Sequence, residues 1–409
     1  MVHTDTGSSR TYGGNSMAGL RRISYLWKDP DSARDYSTGI SLHSHTNQSK
    51  ETLDFLANFG AEYGWVRKLI AAAETRARHR YGIAIDYAAS YWTPPLTPRL
   101  AFDLESRQIE KLDVMPLVSI TDHDTISAPM LLRTVASARH IPVSVEWSAP
   151  FGGDQSFHLG IHNLPSESGA AWMRTFEEYT AEPGTPEEKG KRLTEILAAL
   201  HELPNVLIVF NHPIWDLYII GAEKHRQRVQ DFMLANRQFL HALELNGLRS
   251  WEENREVKQM AKAWDMLLIS GGDRHGMEPN ANINLSNAAS FTEFVHEVRY
   301  EGRSHVLFMP QYAEPWKHRI LQSTLDAIRD YPDFPQGSRT WDERVYHPDG
   351  NGAVRPLSEL WPGDGRAPYY FRWVIDAVRM MGTAPVSGSL RMAWTSSREP
   401  RFALGEEAF

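Results

Sequence analysis

The chain has 409 residues, of which 42% are hydrophobic and 23% charged, a formal net charge of −8 and no cysteine. That balance belongs to an ordinary globular protein with room for one large domain and appendages, or for two domains. It excludes disulfides and thiolate metal sites, so any metal must be held by His, Asp and Glu, and it argues against nucleic-acid binding, which needs a basic face.

Residues 1–37 begin MVHTDTGSSRTYGG and lack the apolar core of an export signal, so they read as a flexible leader and the protein as cytoplasmic. No apolar run is long enough to cross a bilayer, and no membrane partner is expected. From 38 to 309, β-branched runs alternate with amphipathic stretches. The expected strands are GISLHS (39–44), PLVSIT (116–121), PVSVEW (142–147), SFHLGIH (156–162), VLIVFN (206–211), ALELNG (242–247) and LLISGG (267–272). Helices are expected at 186–203, where Leu193, Ile196, Leu197 and Leu200 share one face, and at 252–264. Strands alternating with helices predict an α/β fold with a mainly parallel sheet, closed or nearly closed into a barrel. Residues 60–112 interrupt the rhythm with a helical start (EYGWVRKLIAAAETRARHRYG) and YWTPPLTPR, and read as an insertion over one mouth. From 310 to 409 the pattern changes to a C-terminal extension with helices near 316–330 and 368–382, either a packed appendage or a flap.

Residues able to bind metal recur where strands end: His43 and His45, then Asp122, His123 and Asp124, then Glu146, His158 and His162, His212, Glu244 and Asn246, and finally Asp273 and His275. Each alone has an ordinary explanation as a turn, a helix cap or a half-buried side chain, and His162 is best read that way. Together they recur where βα loops converge in parallel barrels. A His-x-His pair on an extended segment points both rings to one side. Neutral imidazoles and carboxylates there can hold divalent ions, and paired ions can activate water and clamp a phosphoryl oxygen.

The motifs HSH, SITDHD, VEWSA, FHLGIHNL, VFNHP and GGDRHG, in this order, resemble the PHP (polymerase and histidinol phosphatase) superfamily. FVHEVRYEGRSHVLF (294–308) is similar to the helix and strand that close such domains. The resemblance covers roughly 38–309 and implies a distorted seven-stranded (β/α)7 barrel. It also implies two or three divalent ions, Zn, Mn or Fe, and hydrolysis of phosphate esters through metal-activated water. By the same resemblance, His43, His45, Glu146 and Asp273 would hold one ion. Glu146 would bridge to a second, held also by His158 and His212, while His123 and His275 would face a third position. Asp122 would orient a ligand. Glu146, Asp273 and His123 are the catalytic candidates.

The family usually carries an acidic residue or histidine where Lys50 stands. An ammonium cannot bind a metal and is repelled by nearby dications. Lys50 can swing outward, replace the third ion as a receptor for an anionic substrate, or yield its place to Glu51 by a one-residue shift. A dinuclear site with Lys50 as a substrate contact is the working expectation. Arg249 and Arg303 are further candidates for a small anionic substrate, because a planar guanidinium engages two oxygens at once; Arg274, between proposed ligands, is expected to point away. Trp147, Trp215 and Trp251 follow strand ends and could line the mouth. Two rivals remain: hydrolysis of C–N or C–O bonds by the same ions, as in amidohydrolases, and a metal-binding barrel without turnover.

Overall fold

The computed structural model describes residues 21–53, 75, 78–79, 86–87, 89–361 and 365–396. Strands β1 (Arg21–Tyr25), β2 (Thr38–Ser41), β5 (Met115–Val118), β11 (Asn282–Ser286) and β12 (Ser304–Phe308) form a five-stranded sheet in the order β1-β12-β11-β2-β5. A second five-stranded sheet runs β10-β9-β8-β7-β6, from β6 (Val143–Phe151), β7 (Gln155–Leu164), β8 (Leu207–Phe210), β9 (Ala242–Asn246) and β10 (Leu267–Gly271). A small sheet joins β3 (Glu51–Thr52), β4 (Tyr91–Trp92), β13 (Val345–Pro348) and β14 (Val354–Pro356).

The expected strands therefore exist, but their pairing differs from one closed parallel sheet. β7 runs antiparallel to both β6 and β8. The reason is chain length: 148–155 is too short for a crossover helix, which needs about a dozen residues or more. The chain reverses instead through Gly152 and Gly153, whose φ angles of 66° and 79° suit glycine. The expected single closed ladder is likewise replaced by two sheets that touch through isolated parallel bridges, Ser44 with Arg274 and His123 with Glu146. At the first junction the Asp273 amide donates to the His43 carbonyl at 2.8 Å and the His45 amide to the Arg274 carbonyl at 3.0 Å. Left-handed backbone at His43 and Asp273 turns the chain out of the pleat and stops the ladder from extending.

Residues 21–25, expected within the leader, instead pair along their whole length with β12. The helical start of the insertion lies largely outside the described residues. Its last part is helix α1 (Pro98–Glu110), capped by the Thr97 hydroxyl, with Ile109 buried against Val114, Ile283 and Leu307. Helix α2 (Ser127–Leu132) follows β5, and α3 (Gly169–Ala181) and α4 (Pro186–His201) follow β7. Proline in the first turn and a Thr185–Glu188 capping box start α4. The predicted face of Leu193, Ile196, Leu197 and Leu200 is buried in the main core with Phe176, Phe210 and Phe232. Helices α5 (Ala222–Asn236), α6 (Trp251–Trp264) and α7 (Phe291–Arg299) complete this region.

Beyond β12 the chain forms α8 (Trp316–Ile328), the β13–β14 hairpin, α9 (Leu357–Leu360), α10 (Tyr369–Met381) and α11 (Ala384–Ser396). This segment is packed: Trp316 Nε1 and the Arg319 guanidinium bond the carbonyls of Leu248, Gly247 and Arg249. Among the described residues, no helix is long and apolar enough to cross a membrane.

Candidate metal centre

The polar strand ends do converge, by a route that strand periodicity does not describe. β2 ends at Ser41, and His43 adopts φ 61°; Asp273 and His212 are also left-handed, with φ 54° and 28°. For L-residues this conformation costs about 1–2 kcal/mol each, and such outliers cluster at functional sites. The expectation that His43 and His45 share a regular strand face is thus corrected: a backbone kink brings their Nε2 atoms to 3.1 Å.

Around these rings lies the first donor set. His43 Nε2 is 2.8 Å from Glu146 Oε2 and 3.6 Å from Asp273 Oδ1, while His45 Nε2 is 3.2 Å and 3.5 Å from the same oxygens. Ligands about 2.0–2.1 Å from a tetrahedral ion would stand roughly 3.3–3.4 Å apart, and His43 Nε2, His45 Nε2 and Asp273 Oδ1, at 3.1–3.6 Å from one another, have that spacing. Its chemistry agrees. The Glu244 carboxylate accepts a hydrogen bond from His43 Nδ1, so a neutral His43 presents its Nε2 lone pair to a carboxylate oxygen and a second imidazole nitrogen. In the ion-free protein burial opposes the charge on His43, but Glu146, Glu244 and Asp273 hold it well above its ordinary value. Acceptors gathered face to face need protons or a cation between them.

Glu146 is completely buried and serves both sides. Its Oε1 lies 3.1 Å from His212 Nε2 and 3.4 Å from His158 Nδ1, and accepts from Asn211 Nδ2 at 2.9 Å. His158 Nδ1 is buried without a hydrogen-bond partner among the described residues, as a donor atom awaiting an ion would be. Burial, opposed by Glu146, holds its imidazole down at about 4, in the neutral form that binds metal.

Glu51 closes a third set. Its Oε2 is 3.3 Å from His123 Nε2 and 3.1 Å from His275 Nε2. This corrects the assignment of Lys50 to the site. Lys50 is exposed, with its ammonium 5.4 Å from the centre of the Tyr91 ring, and Glu51 stands among the histidines. Burial works against ionisation of Glu51, but His123, His275 and His45 hold it well below the carboxylate range. Glu146 and Asp273 are also driven well below theirs against the cost of burial, with His43 the strongest attraction in each case. Reciprocally, His123 is pushed up to about 10, where Glu51 and Glu146 outweigh burial.

The supporting groups were less visible in the sequence. Glu244 holds both His43 and, at 2.8 Å, the backbone amide of His212. Gly271 makes room for it: a Cβ there would sit 1.5 Å from Glu244 Oε1, and one at Gly272 would meet the Asn280 side chain at 1.7 Å. The paired glycines of GGDRHG, readable as a turn, are instead the clearance for these two side chains. Asp122, expected to orient a ligand, fixes the loop after His45 by accepting from Thr46 N and Oγ1 at 2.5 and 2.8 Å.

At the rim, Arg249 Nη2 lies 3.7 Å from Asp273 Oδ2, and its guanidinium carbon is 3.7 Å above the Trp215 ring. Trp215 in turn stands against His212 and His158, with ring centres 5.0 and 5.9 Å away. Arg249 therefore faces the donor sets. Arg303 does not: it is paired with Glu301 and Glu297 before β12. Arg274 points away as expected, buried against Glu105 at 3.0 Å. Trp147 and Trp251 are packing residues, the first stacked on Phe176 and the second against Tyr25, Phe308 and Tyr312. His162 bonds Ser119 Oγ away from the donor sets.

No protein-family model matches the chain, and no curated protein matches it. Solved structures to which it is similar include an amidohydrolase from Chromobacterium violaceum with bound sulfate and no metal. The identity is 16%, the TM-score 0.32, and the match covers 44% of this chain and 83% of that one. A metal-dependent phosphoesterase assignment belongs to another, from Bifidobacterium adolescentis, at 17% identity and TM-score 0.29, over 50% of this chain and 91% of that one. PsfC from Pseudomonas syringae is similar at 12% identity and TM-score 0.34, over 56% and 87%.

Proposed function

We propose that this chain is a metal-dependent hydrolase of the PHP type, acting on phosphate esters of small molecules, with its two sheets forming a distorted ring of strands around the site. The observation that carries the reading is Glu146, a wholly buried carboxylate with one oxygen facing His43, His45 and His123 and the other facing His158 and His212. A structural ion pair needs one partner; this arrangement has the form of a bridging ligand.

In this reading His43, His45, Asp273 and Glu146 hold one ion, Glu146, His158 and His212 a second, and Glu51, His123 and His275 a third. Bound ions would supply an activated water and draw charge from a phosphoryl oxygen. The protein's own contribution is placement. Glu244 fixes the proton of His43 on Nδ1 and so presents Nε2 as the donor. Arg249, braced on Trp215, offers a fork of N–H groups to an anionic oxygen at the rim.

The test is elemental analysis followed by a panel of phosphate monoesters and diesters, small amides and lactones, each with and without added Mn or Zn. Metal-dependent turnover of esters alone is the expected result. Turnover of amides or lactones alone would replace the phosphoesterase with an amidohydrolase-type enzyme. A chain that neither carries nor takes up metal would sink the reading.

A further inference from the structure

The residues after 310 reach the metal centre through a short hydrogen-bonded ladder. Glu51 lies on β3, a strand of only two residues, and pairs with Trp92 of β4, which pairs on its other side with Val345 of β13. One row of the small sheet therefore runs from Val345 to Glu51. In the next row Tyr91 stacks on Tyr346, with ring centres 4.7 Å apart and 11° between planes. The Lys50 ammonium lies over the same Tyr91 ring. The Thr93 amide also donates to the Arg344 carbonyl at 2.9 Å. Arg344 is itself buried and donates to the carbonyls of Ser338, Ala327 and Arg329, which ties β13 to the end of α8.

A pair as short as β3 and β4 has no independent stability, since two-stranded ribbons are marginal in water and a third strand is needed. β13 is that strand. Ser49 Oγ, which donates to Glu51 Oε1 at 2.6 Å, orients the carboxylate but does not hold the backbone that carries it.

We infer that the C-terminal extension is a structural part of the third donor set: β13, through β4, positions Glu51 so that Glu51, His123 and His275 can share one divalent ion. The other two sets draw their ligands from the two large sheets and their loops and do not depend on it. Val345 and Tyr346 are thus positioning residues for one ion among three. Lys50 belongs to the same device as a cation seated on Tyr91, outside the shell. The inference rests on the metal-centre reading above.

The test uses the full chain, loaded with Mn2+ and titrated with a chelator, with ions per chain measured by elemental analysis. Variants are Val345→Pro, which disturbs the pairing with Trp92, Tyr346→Ala, which removes the stack, and Tyr346→Phe, which keeps it. Glu51→Gln reports direct loss of the third-set carboxylate. Three ions are expected in the parent and in Tyr346→Phe. One of the three should bind at least ten-fold more weakly in Tyr346→Ala, Val345→Pro and Glu51→Gln, with the other two unchanged. Should Val345→Pro not fold, Tyr346→Ala decides. Three ions of parental affinity in a folded Tyr346→Ala protein would overturn the role of the tail while leaving the metal reading intact. So would equal weakening of all three. A parent that binds no metal would overturn the metal reading and this inference with it, and a parent that binds two would overturn the third set alone.

Discussion

Replacing Glu244 by Gln tests whether the donor geometry is held from behind. The carboxylate is 1% exposed, accepts from His43 Nδ1, and accepts from the His212 amide at 2.8 Å and Asn246 Nδ2 at 2.9 Å. A glutamine keeps the size but has one acceptor oxygen, so its NH2 must face either the His43 N–H or the His212 N–H, donor against donor. Loss of one hydrogen bond to a charged group costs about 1.5–3 kcal/mol. That corresponds to roughly 10- to 150-fold in affinity, in line with the 10- to 100-fold typical of groups that orient metal ligands. Chelator competition with Mn2+ reads the affinity of each ion, and thermal melting of the metal-free protein checks the fold. The ions touching His43 and His212 should weaken and the one at Glu51 should not. Gly271→Ala should act in the same direction, because its Cβ would displace the Glu244 carboxylate. Affinities within two-fold of the parent in both variants would refute the assignment of Glu244 as an orienting group.

Arg319→Ala removes two caps from the 247–249 turn and should loosen Arg249; inorganic phosphate, measured by calorimetry on the metal-loaded protein, should bind about ten-fold more weakly. Trp147→Ala, at a side chain with no exposure stacked on Phe176, should cost about 3–5 kcal/mol in denaturant unfolding, as a packing residue does. Metal removal should expose a pH dependence. In the metal-free protein burial opposes the charge on His123 but Glu51 and Glu146 raise it to about 10, above the ordinary 6.5. This folded-state increase stabilises fully below about 6.5 and is lost as pH rises through about 10, so the melting temperature in chelator should fall across that window. A flat profile from pH 6.5 to 10 would count against the close Glu51–His123 contact.

Much of the candidate site was legible because side chains able to bind metal are few in kind and the chain places them at strand ends. In the structure His43, His45, His123, Glu146, His158, His212, Asp273 and His275 come together in groups whose nitrogen and oxygen atoms could hold an ion. Helices α4 and α6 were legible too, α4 from the spacing of Leu193, Ile196, Leu197 and Leu200; the structure adds the capping boxes at Thr185 and Ser250 that start them. β1 was not, since Arg21–Tyr25 carries two arginines in a polar leader and becomes a strand by pairing with β12. The reversal of β7 could have been read from the short, glycine-bearing link before it.

What the sequence determined by itself was the chemistry: oxygen and nitrogen donors without thiols, at the ends of alternating strands. Which of two neighbours, Lys50 or Glu51, enters the site was decided only in three dimensions. One residue of register on a strand sends a side chain to the opposite face. That register is set by Trp92 and Val345, residues distant in sequence that lie beside Glu51 only once the chain has folded.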